Sequence, residues 1–187
     1  VVFLARFWYT GCMDIPIKKL NNGFSMPVFG LGTWQMGGRY ERDPGNDDAR
    51  DIVAIRAAIE RGITHIDTAE AYAGGHAEEI VGQAIAPYDR ATLFIVSKVS
   101  AEHMRRGQLI ASCEASLKRL QTQYLDVYLL HRHDPAVPLK ETMGAMNELL
   151  ERGLIKHIGL SNFNVESHRE AVRCGAAPVV ATQVHYN

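Results

Sequence analysis

Four side chains able to do acid–base chemistry lie at or just after the ends of apolar, strand-like runs: Asp67, Tyr72, Lys98 and His131. A charged Asp or Lys inside an apolar run is costly to bury unless it is paired. We expect Asp67 and Lys98 to lie at matching levels of adjacent strands, where a buried ion pair would resolve both costs. Such a pair could serve only to hold the fold together, but Tyr72 and His131 at the same edge favour chemistry.

The types of these four side chains suit proton delivery to a carbonyl oxygen. A phenol has an ordinary pKa of about 10, too high for efficient proton donation near neutrality. A lysine cation beside Tyr72 would stabilise the phenolate, and Asp67 would keep that lysine charged and correctly oriented. A neutral His131 could hydrogen-bond a substrate carbonyl oxygen and orient it. The set therefore predicts protonation of a carbonyl while another group delivers hydride.

Alternating strand and helix patterns must position these groups. Apolar runs typical of strands occupy residues 28–34, 64–68, 93–99, 125–131, 157–161 and 179–184. In the first helical pattern Ile52, Ile55 and Ile59 recur at helical spacing, and Gly62 follows where a left-handed C-cap would lie. Further helical patterns cover about 80–85, 109–120 and 143–150, the last closed by Gly153, and a weaker one covers 167–173.

Equivalent strand ends recur roughly every 30 residues, the length of one strand–helix unit. Strands that are apolar throughout indicate a parallel sheet covered by helices, hence an α/β fold. The candidates are a doubly wound open sheet and a (β/α)8 barrel of the TIM type. No GxGxxG motif follows the first run, which weakens the dinucleotide-binding form of the open sheet. A hairpin over 18–29, turning at Asn22-Gly23, could close the bottom of a barrel, and we predict the barrel.

The length of the chain conflicts with a complete barrel. Such a domain takes about 250 residues, or roughly 200 at the low end, and only six of eight strand–helix units are visible in 187 residues. We therefore expect residues 13–187 to form an incomplete barrel domain without its last two units. A sheet of six strands that stays open would expose two long apolar edges, which promote aggregation.

The first twelve residues are treated separately from this domain. Residues 1–12 are apolar but far too short to span a bilayer. A lipoprotein signal through Thr10-Gly11-Cys12 is one alternative. Our expectation is that translation begins at Met13 and that 1–12 is a non-native or disordered extension.

Composition argues against several classes of function. A net charge of -1 gives no reason to expect nucleic acid or an acidic membrane surface as a partner. The three cysteines, Cys12, Cys113 and Cys174, are far apart, so neither a disulfide framework nor a zinc ribbon is expected. Cys113 falls on an apolar helical stripe and should be a buried core thiol. The expected compartment is the reducing cytoplasm.

Several ordered motifs carry a resemblance to a known family. They are Gly30-Leu31-Gly32-Thr33-Trp34, Ile66-Asp67-Thr68-Ala69-Glu70-Ala71-Tyr72, Ser97-Lys98-Val99, Leu129-Leu130-His131 and Gly159-Leu160-Ser161-Asn162-Phe163. Each alone is weak. In this order and at these intervals they resemble successive signatures of the aldo-keto reductase family, and the match covers nearly everything after Met13.

The resemblance implies NADPH-dependent reduction of aldehydes or ketones to alcohols. It implies that the catalytic residues are Asp67, Tyr72, Lys98 and His131, with Tyr72 as the general acid. It further implies that the cofactor contacts are Thr33, Asp67, Ser161, Asn162 and Gln183, the last three at the nicotinamide carboxamide, and that Trp34 lines the substrate pocket. No metal is implied. The small carbonyl substrate is the expected partner, and the complete protein is expected to be a monomer.

The residues that would select NADPH over NADH belong to later segments of the family pattern, so that preference follows from resemblance alone.

One departure from the family pattern concerns the pocket wall. The family usually follows the histidine with an aromatic residue and a proline, whereas this chain has Arg132-His133-Asp134-Pro135. The departure leaves the choice of substrate open.

Three alternatives stay open at this point. A metal-dependent hydrolase could use His131, His133 and Asp134, because a His-x-His pair at a strand end is a known ligand arrangement. A non-enzymatic nicotinamide-binding barrel would resemble the β subunits of voltage-gated potassium channels. The chain could also be an inactive, truncated remnant of a reductase.

Overall fold

A computed structural model describes residues 13–20 and 23–185. Its strands are β1 Ile17–Lys19, β2 Ser25–Pro27, β3 Gly30–Gly32, β4 His65–Asp67, β5 Phe94–Val99, β6 Leu125–Leu130, β7 Ile155–Ser161 and β8 Val179–Gln183. Its α-helices are α1 Asp48–Glu60, α2 His76–Ile85, α3 Arg106–Leu120, α4 Leu139–Glu151 and α5 Val165–Cys174. Short 3-10 segments cover Tyr72–Gly75, Arg90–Thr92 and Ala101–His103.

Strand order identifies the architecture. Strands β3 to β8 form one parallel sheet in which each strand pairs with the next along the chain. A doubly wound sheet reverses its strand order at a switch point, and this sheet has no such reversal. The sequential order, with a helix between successive strands, is that of a (β/α)8 barrel. The predicted fold class is confirmed and the doubly wound alternative was wrong.

Both faces of the sheet are covered by apolar side chains. On the outer face Ile66, Ile95, Val99, Tyr128 and Leu130 pack in one cluster with the buried residues of the five helices. The inner face carries a smaller cluster formed by Phe24, Val96, Val127 and Leu129. Burial on both faces explains why the strands read as continuous apolar runs rather than as an alternating pattern.

The β1–β2 hairpin closes the end of the sheet where the strands begin. The two strands pair antiparallel, with Lys18 opposite Met26. The ring of Phe24 meets Phe94 at the start of β5 and His157 near the start of β7, with centroid distances of 6.2 and 4.9 Å. The predicted hairpin is therefore present. Its predicted turn residue Asn22, like the predicted extension 1–12, lies outside the described residues.

Helix ends agree with the sequence signals. The side chain of Asp47 accepts a hydrogen bond from the Arg50 amide, which caps the start of α1. After α1 the chain turns at Gly62, whose φ is +94°. The amides of Gly62 and Ile63 bond the carbonyls of Ile59 and Ala58, in the manner of a Schellman motif. A second left-handed glycine, Gly153, follows α4.

Several predicted boundaries shift by a few residues. The first run extended over 28–34, but only Gly30–Gly32 forms the strand β3. Strand β7 begins at the buried Ile155 rather than at residue 157. The prediction began too late because the exposed Lys156 interrupts the apolar run in the sequence. Residue His131 lies just past β6, although its amide still donates to the Val99 carbonyl at 2.9 Å.

Two further expectations concern single features. Cys113 is fully buried in α3, and burial raises the pKa of its thiol to about 12, as suits a core residue.

The longest α-helix in the described ranges, α3, has 15 residues, and none of the helices there could cross a lipid bilayer.

Candidate active site

The ammonium group of Lys98 is the centre of the site. Lys98 is 1% exposed, and its Nζ donates three hydrogen bonds. The acceptors are Asp67 Oδ1 at 2.5 Å, the Thr68 carbonyl at 2.8 Å and the Tyr72 hydroxyl at 3.1 Å. An ammonium has three donors and no acceptor, so all three are used. One of them is committed to the phenolic oxygen of Tyr72.

Strand register determines how these side chains meet. Asp67 ends β4 and pairs with Val96 of β5, so Lys98 lies two residues further along its strand. The expectation that Asp67 and Lys98 share one level was therefore wrong in register. The long lysine side chain reaches back to the carboxylate, and the predicted ion pair is present, with Lys98 buried and Asp67 partly buried. Lys98 thereby also reaches Tyr72, which lies beyond the end of β4.

Tyr72 is held by a tight and unusual backbone. It begins a 3-10 segment, and its amide bonds the Ala69 carbonyl at 3.1 Å. The following Ala73, Gly74 and Gly75 all have positive φ, at 51°, 62° and 93°. A Cβ on Gly75 would lie 2.8 Å from Arg119 Nε, so only glycine fits there without displacement. This turn directs the phenol back over the strand ends.

His131 faces the same space as the phenol. The rings of Tyr72 and His131 have centroids 5.9 Å apart and planes at 74°. Burial is the main cause that lowers the pKa of His131 to about 4, and the nearby Lys98 cation lowers it further. With its pKa lowered to about 4, His131 is neutral at physiological pH, and one ring N–H can still donate to a carbonyl oxygen.

A carboxylate not singled out from sequence supports the loop after β5. Glu70 Oε1 accepts hydrogen bonds from the Ser100 amide at 2.6 Å and from His103 Nδ1 at 2.9 Å. Its position between Asp67 and Tyr72 in one motif was visible in the sequence. Nothing in the sequence indicated that it would bind a loop 30 residues later.

An aromatic wall lines the cavity beside these groups. The cavity has a volume of about 560 Å3 and is bordered by Trp34, Tyr40, Tyr72, His131 and Arg132, among others. The Trp34 ring lies 4.9 Å from Tyr72 and 5.0 Å from Tyr40, edge to face in both cases. The structure thus brings the predicted Trp34 to the site. Tyr40 was missed, since it lies in a loop with no periodic pattern.

Polar groups at the ends of β7 and β8 form another side of the site. Ser161 is almost fully buried, and its hydroxyl accepts from Asn162 Nδ2 at 3.0 Å. Asn162 has a φ of 55° and also donates to the His131 carbonyl at 3.2 Å. Gln183 lies opposite Ser161 in the β7–β8 register, and its Nε2 donates to Asp67 Oδ2 at 3.1 Å. One hydroxyl and two amides thereby lie at neighbouring strand ends, and Gln183 joins them to Asp67.

This donor set fits a nicotinamide carboxamide. That group carries one carbonyl acceptor and an amide donor, and the Ser161 hydroxyl with the Asn162 and Gln183 amides can complement both.

Thr33, the remaining predicted cofactor contact, lies away from these three residues. It is fully buried, and its hydroxyl donates to the Asp67 backbone carbonyl at 3.1 Å, so it supports Asp67 from within the sheet.

The metal-site alternative gains no support from the geometry. The ring of His133 packs against Phe163 with a centroid distance of 5.4 Å, whereas His131 faces Tyr72. Within residues 13–20 and 23–185 no group of three His, Cys, Asp or Glu side chains is arranged to hold a metal ion. The His-x-His pair lacks a further ligand there.

Comparison with known proteins now identifies the family. The model of the aldo/keto reductase family matches residues 28–187, and the chain belongs to this family. Methylglyoxal reductase YeaE of Escherichia coli (strain K12) is 42% identical over 158 residues, which are 84% of this chain and 53% of that protein.

Solved structures agree with this assignment. A thermostable aldo-keto reductase, Tm1743, solved with the inhibitor epalrestat, superposes with a TM-score of 0.89 at 46% identity, covering 92% of this chain and 63% of that one. An aldo/keto reductase of Klebsiella pneumoniae, solved with NADP and acetate, gives 0.73 at 42% identity, covering 83% and 52%. The chain spans about half the length of the curated relatives it matches.

Proposed function

We propose that this site reduces aldehydes or ketones to alcohols, taking hydride from NADPH and a proton from Tyr72. One observation carries the proposal: Lys98 Nζ lies between the Asp67 carboxylate, at 2.5 Å, and the Tyr72 hydroxyl, at 3.1 Å. A purely structural ion pair would not need a phenol as a third partner. Here the buried cation donates a hydrogen bond to a phenolic hydroxyl that borders an open cavity.

In the proposed reaction Tyr72 protonates the carbonyl oxygen as hydride reaches the carbonyl carbon. The resulting phenolate is stabilised by the Lys98 ammonium, because an opposite charge at hydrogen-bond distance favours the ionised form. Asp67 balances the lysine charge inside the protein, where an unpaired ammonium would be costly. The neutral His131 donates a hydrogen bond to the same carbonyl oxygen and aligns it with Tyr72.

The cofactor supplies the hydride when bound, and this chain supplies contacts to its carboxamide. Ser161, Asn162 and Gln183 are the proposed contacts, and Asp67 borders the same place. The preference for NADPH follows relatives that were solved with NADP or NADPH. A second candidate, a nicotinamide-binding protein without turnover, would keep these contacts and lack the reaction.

The proposed substrates are small carbonyl compounds, of which methylglyoxal is a natural first choice. Relatives of this chain are named methylglyoxal reductases. The aromatic wall of Trp34 and Tyr40 would cover the apolar part of a somewhat larger aldehyde. Aromatic aldehydes are therefore the second class to assay.

The test is a comparison of the purified protein with its Tyr72→Phe variant. NADPH oxidation in the presence of methylglyoxal or an aromatic aldehyde should be lost in the variant by at least about a hundredfold. Affinity for NADPH, measured by calorimetry, should stay nearly the same, since the hydroxyl is proposed to act on substrate. Full turnover by the variant would contradict the proton donor. NADPH binding without turnover in the unmodified protein would favour the non-enzymatic candidate.

A further inference from the structure

One cation at the substrate cavity has no task in the reaction proposed above. Arg132 follows His131 directly, is exposed, and borders the same cavity as the aromatic wall. Its guanidinium forms no hydrogen bond and no ion pair with any residue that the structure describes. Two partly buried arginine contacts elsewhere differ from it: Arg90 pairs with Asp126 at 2.7 Å, and Arg119 pairs with Glu78 at 2.7 Å.

The Arg132 guanidinium, which lies beside the reacting groups, adds positive charge to the cavity. Its charge is one of the causes that lower the pKa of His131, after burial, Lys98 and the opposing effect of Asp67. The guanidinium offers five donors in a planar fork that matches a carboxylate with two parallel hydrogen bonds. No residue in the described part of the chain uses any of these donors.

We propose that Arg132 binds a carboxylate on the substrate, so that the cavity takes aldehyde or keto acids with an apolar spacer between their two ends. This inference rests on the proposed function, since it assumes that the carbonyl end meets Tyr72 and His131. Trp34 and Tyr40 then contact the spacer, and Arg132 holds the acid end. The substrate is oriented from both ends, which an aromatic wall alone does not achieve.

A second charge in the cavity narrows the class of anion. Glu102 also borders the cavity, is exposed, and has no ion pair among the described side chains. Its carboxylate repels an anionic ligand, and the repulsion grows with the charge of that ligand. A carboxylate with a single charge is therefore favoured over a phosphate ester. Loss of the Glu102 charge should strengthen binding of the acid.

The experiment compares an aldehyde that carries a carboxylate with its uncharged ester. These are para-formylbenzoate and its uncharged methyl ester, and the measured quantity is the ratio of their kcat/KM values, acid over ester. Arg132→Gln should lower the ratio by about tenfold, the low end for a hydrogen bond to a charged group. Glu102→Gln should raise it. Arg169→Gln, an equal charge change at an exposed position of α5, is the matched control and should leave the ratio unaltered.

A binding measurement separates this inference from the proposed function. Calorimetry with para-(hydroxymethyl)benzoate and its methyl ester, the corresponding alcohols, requires no turnover. If the acid alcohol binds more tightly than its ester and Arg132→Gln abolishes this difference, the inference is supported, even where neither aldehyde is reduced. Absence of turnover with both aldehydes would contradict only the proposed function. Equal binding of the acid and the ester would overturn the role of Arg132. So would a kcat/KM ratio, acid over ester, that Arg132→Gln leaves unchanged in an enzyme that still reduces both aldehydes.

Discussion

Gln183 and Asp67 are joined by a hydrogen bond of 3.1 Å although 116 residues separate them along the chain. Asp67 ends β4 and Gln183 ends β8, four strands away in the sheet. In a flat sheet these strands would lie about 19 Å apart, at about 4.8 Å per strand. Two side chains cannot bridge that distance. The bond therefore shows that the sheet curls into the wall of a barrel, and that its curvature brings the proposed cofactor contact to the ion pair.

Replacement of Gln183 tests its proposed contact with the nicotinamide. Gln183→Leu removes the amide without adding charge, and we expect a five- to tenfold weaker affinity for NADPH, about 1 kcal/mol, as for one hydrogen bond. Titration calorimetry with NADPH gives the dissociation constant. Gln108→Leu, at an exposed position of α3, is the control. Equal affinity in both variants would remove Gln183 from the cofactor site.

The Lys98–Asp67 pair should also contribute to stability, because each partner compensates the burial of the other. Lys98→Met leaves the Asp67 carboxylate without its cation, and we expect a loss of about 3 kcal/mol in the free energy of unfolding. Adding Asp67→Asn to that variant removes the orphaned charge and should restore part of the loss. Urea denaturation measures all three proteins. A double variant no more stable than Lys98→Met would show that the charges are not coupled.

The lowered pKa of His131 predicts how acid acts on the protein. Its folded pKa of about 4 lies below the ordinary value of 6.5. Between these values the unfolded chain binds the proton and the folded chain does not, so stability falls as the pH drops from about 6.5 to 4. His131→Asn should lose less stability than the unmodified protein over this range. His65 and His157, whose pKa values burial also lowers, remain in both proteins.

Two measurements check this pH dependence. Urea denaturation at several pH values gives the slope, and NMR of the imidazole resonances follows His131 directly. The His131 signals should stay constant down to about pH 5. Titration of that ring near pH 6.5 would show that its pKa is not lowered in the folded protein, and the loss of stability in acid would then need another cause.

Two glycines give a matched test of the turn that holds Tyr72. Gly75→Ala puts a Cβ at positive φ and 2.8 Å from Arg119, which also bonds the buried Glu78. We expect a loss of about 1–3 kcal/mol in stability. Gly144→Ala lies inside α4 with nothing within 4 Å of the new Cβ, and should gain about 0.5–1 kcal/mol. Thermal unfolding reports both, and a neutral Gly75→Ala would mean that the turn adjusts freely.

The sequence indicated the strand-end residues because their types were out of place. Asp67 and Lys98 interrupt apolar runs, and burial of a charge demands a partner, so their pairing followed from physical chemistry. The two-residue offset in register did not, because it depends on how neighbouring strands align in space. The roles of Ser161, Asn162 and Gln183 came from resemblance alone. Ser161-Asn162 at a strand end looks the same in sequence as a helix N-cap, and Gln183 alone carries no signal of its role.

Features that depend on tertiary contact were not visible beforehand. Tyr40 carries no periodic signal, and it reaches the cavity only because its loop folds over Trp34. Glu70 stood within a recognised motif, yet its partners Ser100 and His103 come from another strand–helix unit. Side chains on loops are placed by contacts distant in sequence, and local patterns do not encode those contacts.

The difference between strand and loop has an evolutionary consequence. Lys98 and Asp67 belong to paired strands, and any change in them disturbs the sheet as well as the proposed reaction. By contrast, Trp34, Tyr40 and Arg132 lie in loops after the strand ends, and they are not part of any strand of the sheet. Mutation can therefore alter which molecule is accepted without disturbing the paired strands that hold Lys98 and Asp67. A lineage with this barrel can acquire new substrates by drift in its loops, whereas its lysine–aspartate pair is inherited with the sheet.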